Sequence, residues 1–241
     1  MMKRDRELSR SVVPGRRWLH SHPVATFLAC LGLALGISPF EELVNQGDLL
    51  ESACLTLVLL SGFLAIGERG CTLAWGVALV TPALAAKWGS HWWPDALPAW
   101  TYLSPSLLFL IFVIVHLMRF IVRTRRINSE VLCAAVANYL MLGLLWAFSY
   151  ILVARLAPQA FAFSTGPDSS HAMGGFTAVY FSFITLTTVG YGDIAPLSGA
   201  ARMLAMMEST TGTIYLAILI ARLVSLHSSS PAPPKPPTES A

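Results

Sequence analysis

The chain has 241 residues, 55% of them hydrophobic and 12% charged, with a formal net charge of +3. Soluble domains run at roughly 45–50% apolar and about 25% charged, so these values exclude an ordinary water-soluble domain, a disordered chain, and a collagen or disulfide scaffold. Lys and Arg lie in clusters, a pattern that speaks for membrane orientation and against nucleic-acid binding.

Residues 1–22 form a basic N-terminus with Lys3, Arg4, Arg6, Arg10, Arg16 and Arg17. Arg16 to Leu19 and Phe27 to Cys30 faintly resemble twin-arginine and lipoprotein signals, but the apolar run continues past Cys30, and the arginines are accounted for as a cytoplasmic anchor. A spanning helix needs roughly 20 apolar residues, and such windows fall at 23–40, 49–66, 71–88 and 102–122, a four-helix membrane domain over 23–122. The third window carries Lys87 near one end and Pro82 inside. A linker at 123–130 leads to a fifth span at 131–156, and a sixth at 197–226 closes the set. Between these two, residues 175–187 are apolar and aromatic but too short to span. A glycine-rich pentapeptide follows them, as in a re-entrant helix and loop. The tail, 227–241, is Pro- and Ser-rich without apolar periodicity and reads as disordered. The fold expected is an all-α membrane protein with six transmembrane helices and a re-entrant pore helix.

Orientation follows from the basic residues. Beside the six N-terminal ones, Arg69, Arg119, Arg123, Arg125, Arg126, Arg222 and Lys235 lie on one side, and Lys87, Arg155 and Arg202 on the other. Thirteen against three places both termini in the cytoplasm of a plasma (inner) membrane protein. Cys30, Cys54, Cys71 and Cys133 have neither CxxC spacing nor histidine partners and read as small core residues, without redox or zinc chemistry. No nucleophile and base are set together, so the chain is not expected to be an enzyme or to use a cofactor.

The informative string is residues 181–196, FSFITLTTVGYGDIAP, with TVGYG at Thr188, Val189, Gly190, Tyr191 and Gly192. On this motif, placed between a short helix and a final span, residues 131–226 resemble the pore domain of the pore-loop potassium channel superfamily. The resemblance implies a selectivity filter at 188–192, with permeant K+ held by carbonyls of Thr188, Val189, Gly190 and Tyr191. The physics runs in parallel. Carbonyls surround a dehydrated cation only if successive peptides point at one axis, which regular helix and strand forbid. Gly190 and Gly192 permit that by taking positive φ. Val189 and Tyr191 then point outward into packing, and one loop per chain calls for a homotetramer. The C-terminal end of the short helix, with Thr185 and Thr187, favours a cation at the inner mouth.

Asp193 reads either as a cation-concentrating charge at the outer mouth or as a turn residue. Related channels often hold this aspartate with a pore-helix Glu or Trp, but Phe181 and Ile184 stand at those positions, leaving Tyr180 as the substitute partner. In the sixth span Gly212 is either a hinge, matching the bending glycine of similar channels, or a site of close packing. Thr213, Leu216, Ile220 and Val224 share a helical face and are expected to line the inner cavity and gate. Glu208, an acid inside a span, lies about 140° around the helix from Thr213. It is expected to bond a pore-helix hydroxyl such as Thr185 or Thr187.

Four helices before a pore resemble the voltage-gated architecture, but residues 102–117 carry no Lys or Arg. A charge crossing the field supplies about 2.3 kcal/mol per 100 mV, so weak or absent voltage dependence is expected. Arg119, Arg123, Arg125 and Arg126 read as positive-inside anchors with possible contact to anionic lipid. His116 is expected to snorkel or bond to a neighbour. The function expected is passive, potassium-selective permeation. The alternatives are a potassium transporter subunit, a class that usually carries four degenerate pore loops per chain, and a non-conducting regulatory subunit.

Overall fold

The computed structural model describes residues 23–43, 52–53, 56–60, 62, 70–92, 100–124, 128–164 and 173–228. The basic N-terminus, much of the second window, Cys54, Arg125, Arg126 and all but the start of the tail lie outside the described residues. The labelled helices are α1 (Pro23–Ile37), α2 (Gly70–Trp92), α3 (Trp100–Arg123), α4 (Ser129–Leu156), α5 (Gly175–Leu186) and α6 (Gly199–Ser228). A 3₁₀ turn, Ser38–Leu43, continues α1, and residues 52–53, 56–60 and 62 are helical. Among the described residues, α3, α4 and α6 are long and apolar enough to cross a membrane, while α1 with its turn and α5 are shorter apolar helices.

α4 is the centre of the molecule, packing against α1, α3, α5 and α6. Its start is set by Asn128, whose side chain accepts a hydrogen bond from the Val131 amide at 3.0 Å, with Glu130 in the positive first turn. One face of α4 joins α1, α2 and α3 in a core that includes Phe27, Leu31, Phe109, Val113 and Met141. A second core places Tyr150, Phe161 and Phe181 edge to face, with ring centroids 4.8 to 5.7 Å apart. α2 runs unbroken through Pro82. Lys87 on α2 is buried, with its Nζ 4.8 Å from the centre of the Tyr102 ring, so a cation–π contact offsets part of its desolvation.

The all-α expectation needs one addition. Strands β1 (Phe161–Phe163) and β2 (Ile194–Pro196) pair antiparallel, with Ala162 opposite Ala195. Three-residue strands are too short to show alternation in sequence. Their pairing is set by where α4 and the loop after α5 bring the two segments. The Leu197 amide donates to the Ala160 carbonyl at 2.7 Å, and the Ser164 amide to the Asp193 carbonyl at 2.8 Å. The chain leaving the glycine-rich loop is thereby fastened to the chain leaving α4.

Candidate functional site

The TVGYG segment hangs from the C-terminal end of α5. The Thr187 hydroxyl donates to the Phe183 carbonyl at 2.6 Å, and the Thr188 amide donates to Thr185 at 2.9 Å. The amides of Val189 and Gly190 both donate to the Ile184 carbonyl, at 2.9 and 3.1 Å. These bonds commit the donors at the base of the loop to the helix. φ is positive at Thr188 (60°), Gly190 (53°) and Gly192 (80°), so backbone handedness alternates every second residue. A backbone of this kind can turn successive carbonyls toward one axis. Glycine does so freely, while Thr188 bears a Cβ in a region that costs about 1–2 kcal/mol. Among the described residues, none of the carbonyls from 188 to 192 accepts a backbone hydrogen bond. The result is a row of uncommitted oxygens. Val189 and Tyr191 are 54% and 72% exposed, so a single chain does not supply the packing expected for them.

Two glycines let α5 sit deep between its neighbours. A Cβ at Gly143 of α4 would fall 2.6 Å from the Phe183 ring, and one at Gly212 of α6 would fall 2.3 Å from the Leu186 carbonyl oxygen. Gly212 is thus a place of close backbone approach, within a helix continuous from Gly199 to Ser228.

Behind the loop lies a buried polar node. Glu208 is fully buried. Its Oε2 accepts from the Tyr150 hydroxyl of α4, and its Oε1 lies 2.5 Å from the Ser182 Oγ of α5. Ser182 Oγ is also 2.7 Å from the Gly143 carbonyl oxygen. The expectation that Glu208 bonds Thr185 or Thr187 is corrected in detail. The partner on α5 is Ser182, nearer the start of that helix, and the Thr187 hydroxyl is taken by its own helix. Tyr150 and Ser182 went unremarked in the sequence. A hydroxyl in each apolar helix that flanks an intramembrane acid was the available signal.

Just past the loop, the Tyr180 hydroxyl donates to Asp193 Oδ2 at 2.7 Å, and the Ile194 amide donates to Oδ1 at 3.1 Å. The hydrogen bond to Asp193 pushes the Tyr180 phenol above its ordinary pKa, with smaller effects from burial and the carboxylate charge. The Ser164 hydroxyl also donates to the Asp193 carbonyl at 3.0 Å.

On α6, Ala201, Glu208, Gly212 and Tyr215 face the rest of the chain, and Tyr215 donates to the Ala135 carbonyl at 2.7 Å. Thr213, Leu216, Ile220 and Val224 are all exposed, as are Met203, Met207, Ile214 and Ile218 beside them. At 100° per residue the exposed apolar arc covers about 200° of the helix. At the far end, Arg222 donates to the Val122 and Thr124 carbonyls at 2.7 and 2.8 Å. It thereby caps the open C-terminus of α3, a bond that the charge count alone does not disclose. Arg119 and Arg123 are exposed nearby, and His116 is half-buried on α3. The free thiols of Cys30 and Cys133 are half-buried, and no metal-ligating cluster occurs among the described residues.

Residues 139–228 match the family described as ion channel. The chain is 29% identical over 185 residues to the voltage-gated potassium channel Kch of Escherichia coli (strain K12), covering 75% of this chain and 39% of Kch. It is 44% identical over 48 residues to the calcium-gated potassium channel TvoK of Thermoplasma volcanium, covering 20% of this chain and 14% of TvoK. It is 30% identical over 102 residues to protein LctB of Bacillus caldotenax, covering 42% of this chain and 75% of LctB. The chain therefore spans about two fifths of Kch and a smaller part of TvoK. No solved structure matches it.

Proposed function

We propose, from the premise that this chain belongs to the pore-loop potassium channel superfamily, that it is one subunit of a homotetrameric, potassium-selective channel of the plasma (inner) membrane. The observation that carries the reading is the geometry of 188–192: alternating handedness, donors committed to α5, and carbonyls left without backbone partners. Four such loops around an axis replace the hydration shell of a cation, and ions displace one another along closely spaced sites. The process is passive and uses no catalytic group or cofactor.

Tetramer formation is supported by what one chain leaves uncovered. The exposed Val189 and Tyr191 side chains and the 200° arc of α6 suit both neighbouring subunits and a central cavity lined by Thr213, Leu216, Ile220 and Val224. Asp193 stands at the outer entrance, Thr185 and Thr187 at the inner end of the filter. The first four of six spans form a peripheral domain with both termini cytoplasmic, and Arg119, Arg123, Arg125 and Arg126 meet anionic lipid. With no Lys or Arg between 102 and 117, this domain carries little gating charge.

Purified protein in liposomes should pass potassium far faster than sodium, and Gly190→Ala should abolish the flux. Equal sodium and potassium rates, or a stable monomer in detergent, would overturn the proposal.

A further inference from the structure

Three short contacts meet in the node behind the filter: Tyr150 Oη to Glu208 Oε2, Ser182 Oγ to Glu208 Oε1, and Ser182 Oγ to the Gly143 carbonyl oxygen. Each contact needs a hydrogen between its oxygens. Tyr150 and Ser182 each bring one, and the Gly143 carbonyl brings none. Two hydroxyl hydrogens cannot serve three contacts. With an ionised Glu208, Ser182 must choose between the carboxylate and Gly143, and one close pair of oxygens is left facing lone pair to lone pair.

We propose that Glu208 itself carries the third hydrogen. It is a neutral carboxylic acid that donates to Ser182 Oγ, while Ser182 donates to Gly143 and Tyr150 donates to the other Glu208 oxygen. The chain of bonds is then complete and runs in one direction. It ties α6 and α4 to the pore helix two residues before Ile184, whose carbonyl holds the amides of Val189 and Gly190. Glu208 is a positioning residue: it touches no ion, and acts on the filter through Ser182 and α5. The surroundings agree with a neutral group. Glu208 is fully buried, and among the described residues no Lys, Arg or His bonds to it. Of the titratable side chains on α4, Tyr150 bonds to it and Tyr139 lies close enough to feel its charge, both phenols. From α5 only Ser182 meets it, the Tyr180 hydroxyl being engaged with Asp193. An unpaired carboxylate in such a place is costly, and a neutral acid with all its hydrogen bonds made is not.

Removing this proton sends it to water, breaks one of the three contacts and leaves a charge against the pore helix. The filter support should therefore weaken on the alkaline side. The inference rests on the channel reading for its consequence but not for its proton, so its test reads the proton directly. Infrared spectra of the purified full-length protein at pH about 6, where exposed carboxyls are already ionised, should contain a protonated carboxylic carbonyl band that Glu208→Gln removes. Tyr150→Phe should keep the band and shift it to higher frequency, because one hydrogen bond to the carbonyl is lost. Gln donates to Ser182 and accepts from Tyr150 as the neutral acid does. Glu208→Gln should thus keep thermal stability and potassium flux within about twofold of the parent at neutral pH and flatten their alkaline decline. Glu208→Asp, one methylene too short to reach both hydroxyls, should lose both. Absence of the band in the parent, a band that ignores Tyr150→Phe, or an alkaline decline unchanged in Glu208→Gln would overturn the proposal. Should the protein carry no potassium, the infrared and thermal measurements still decide it.

Discussion

Gly212→Ala separates two roles that the sequence leaves open, a hinge and a packing site. In a helix interior, Gly to Ala ordinarily stabilises by roughly 1 kcal/mol. At 212 the added Cβ falls 2.3 Å from the Leu186 carbonyl oxygen and 2.9 Å from Leu186 Cδ1. Real Cβ contacts essentially never come under 3.0 Å, so the oxygen must retreat by about 0.7 Å, the difference between 3.0 and 2.3 Å. A side-chain tip could swing aside, but a carbonyl at the end of the pore helix moves only with that helix. Overpacking of this kind costs about 1–3 kcal/mol. Set against the helix-propensity gain, the net is a loss of up to about 2 kcal/mol per chain. Gly32 is the matched control, since it lies in α1 with nothing within 4 Å of an added Cβ. Thermal unfolding of the purified protein should rank Gly32→Ala at or above the parent and Gly212→Ala clearly below it, with potassium flux reduced in the latter because Leu186 moves the base of the filter. Equal stabilities for the two variants would refute the packing argument and return Gly212 to a purely hinge role.

Other outcomes follow from single contacts. Tyr180→Phe removes the 2.7 Å bond to Asp193 and should lower stability. Thermal unfolding in low potassium should show it, and an unchanged midpoint would contradict the assigned contact. Arg222→Gln releases the end of α6 from the Val122 and Thr124 carbonyls and should change open probability in bilayer recordings without changing ion selectivity. Arg222→Lys should restore this only in part, because both bonds come from the terminal Nη2 and the shorter lysine stem does not bring its ammonium to that point. Conductance should vary shallowly with voltage, and a steep sigmoid would show that charge outside 102–117 moves through the field.

Much of the site was legible because its chemistry is local. TVGYG is contiguous, and the constraint it meets, carbonyls aimed at one axis, is solved by glycines two residues apart. Positive φ at Gly190 and Gly192 follows from that constraint. The left-handed Thr188 does not, since it depends on how the loop is hung from Thr185 and Ile184. The helices of the pore region also announce themselves, because a membrane-length apolar run needs no long-range partner to be recognised. The β1–β2 ladder, with three residues in each strand, carries no such pattern.

Sequence by itself determined the class of protein, the short helix with its loop, and the acid and basic residues that had to be accounted for. Each is a property of composition or of neighbours within a turn or two. Tertiary structure alone decided who meets them: Ser182 and Tyr150 at Glu208, the α3 carbonyls at Arg222, and Leu186 against Gly212, while the Tyr180–Asp193 pair was already open to a reading of the sequence. Hydroxyls and carbonyls are plentiful along the chain and nearly equivalent as partners. What selects among them is helix crossing and close backbone approach, and those are set by how α4, α5 and α6 pack.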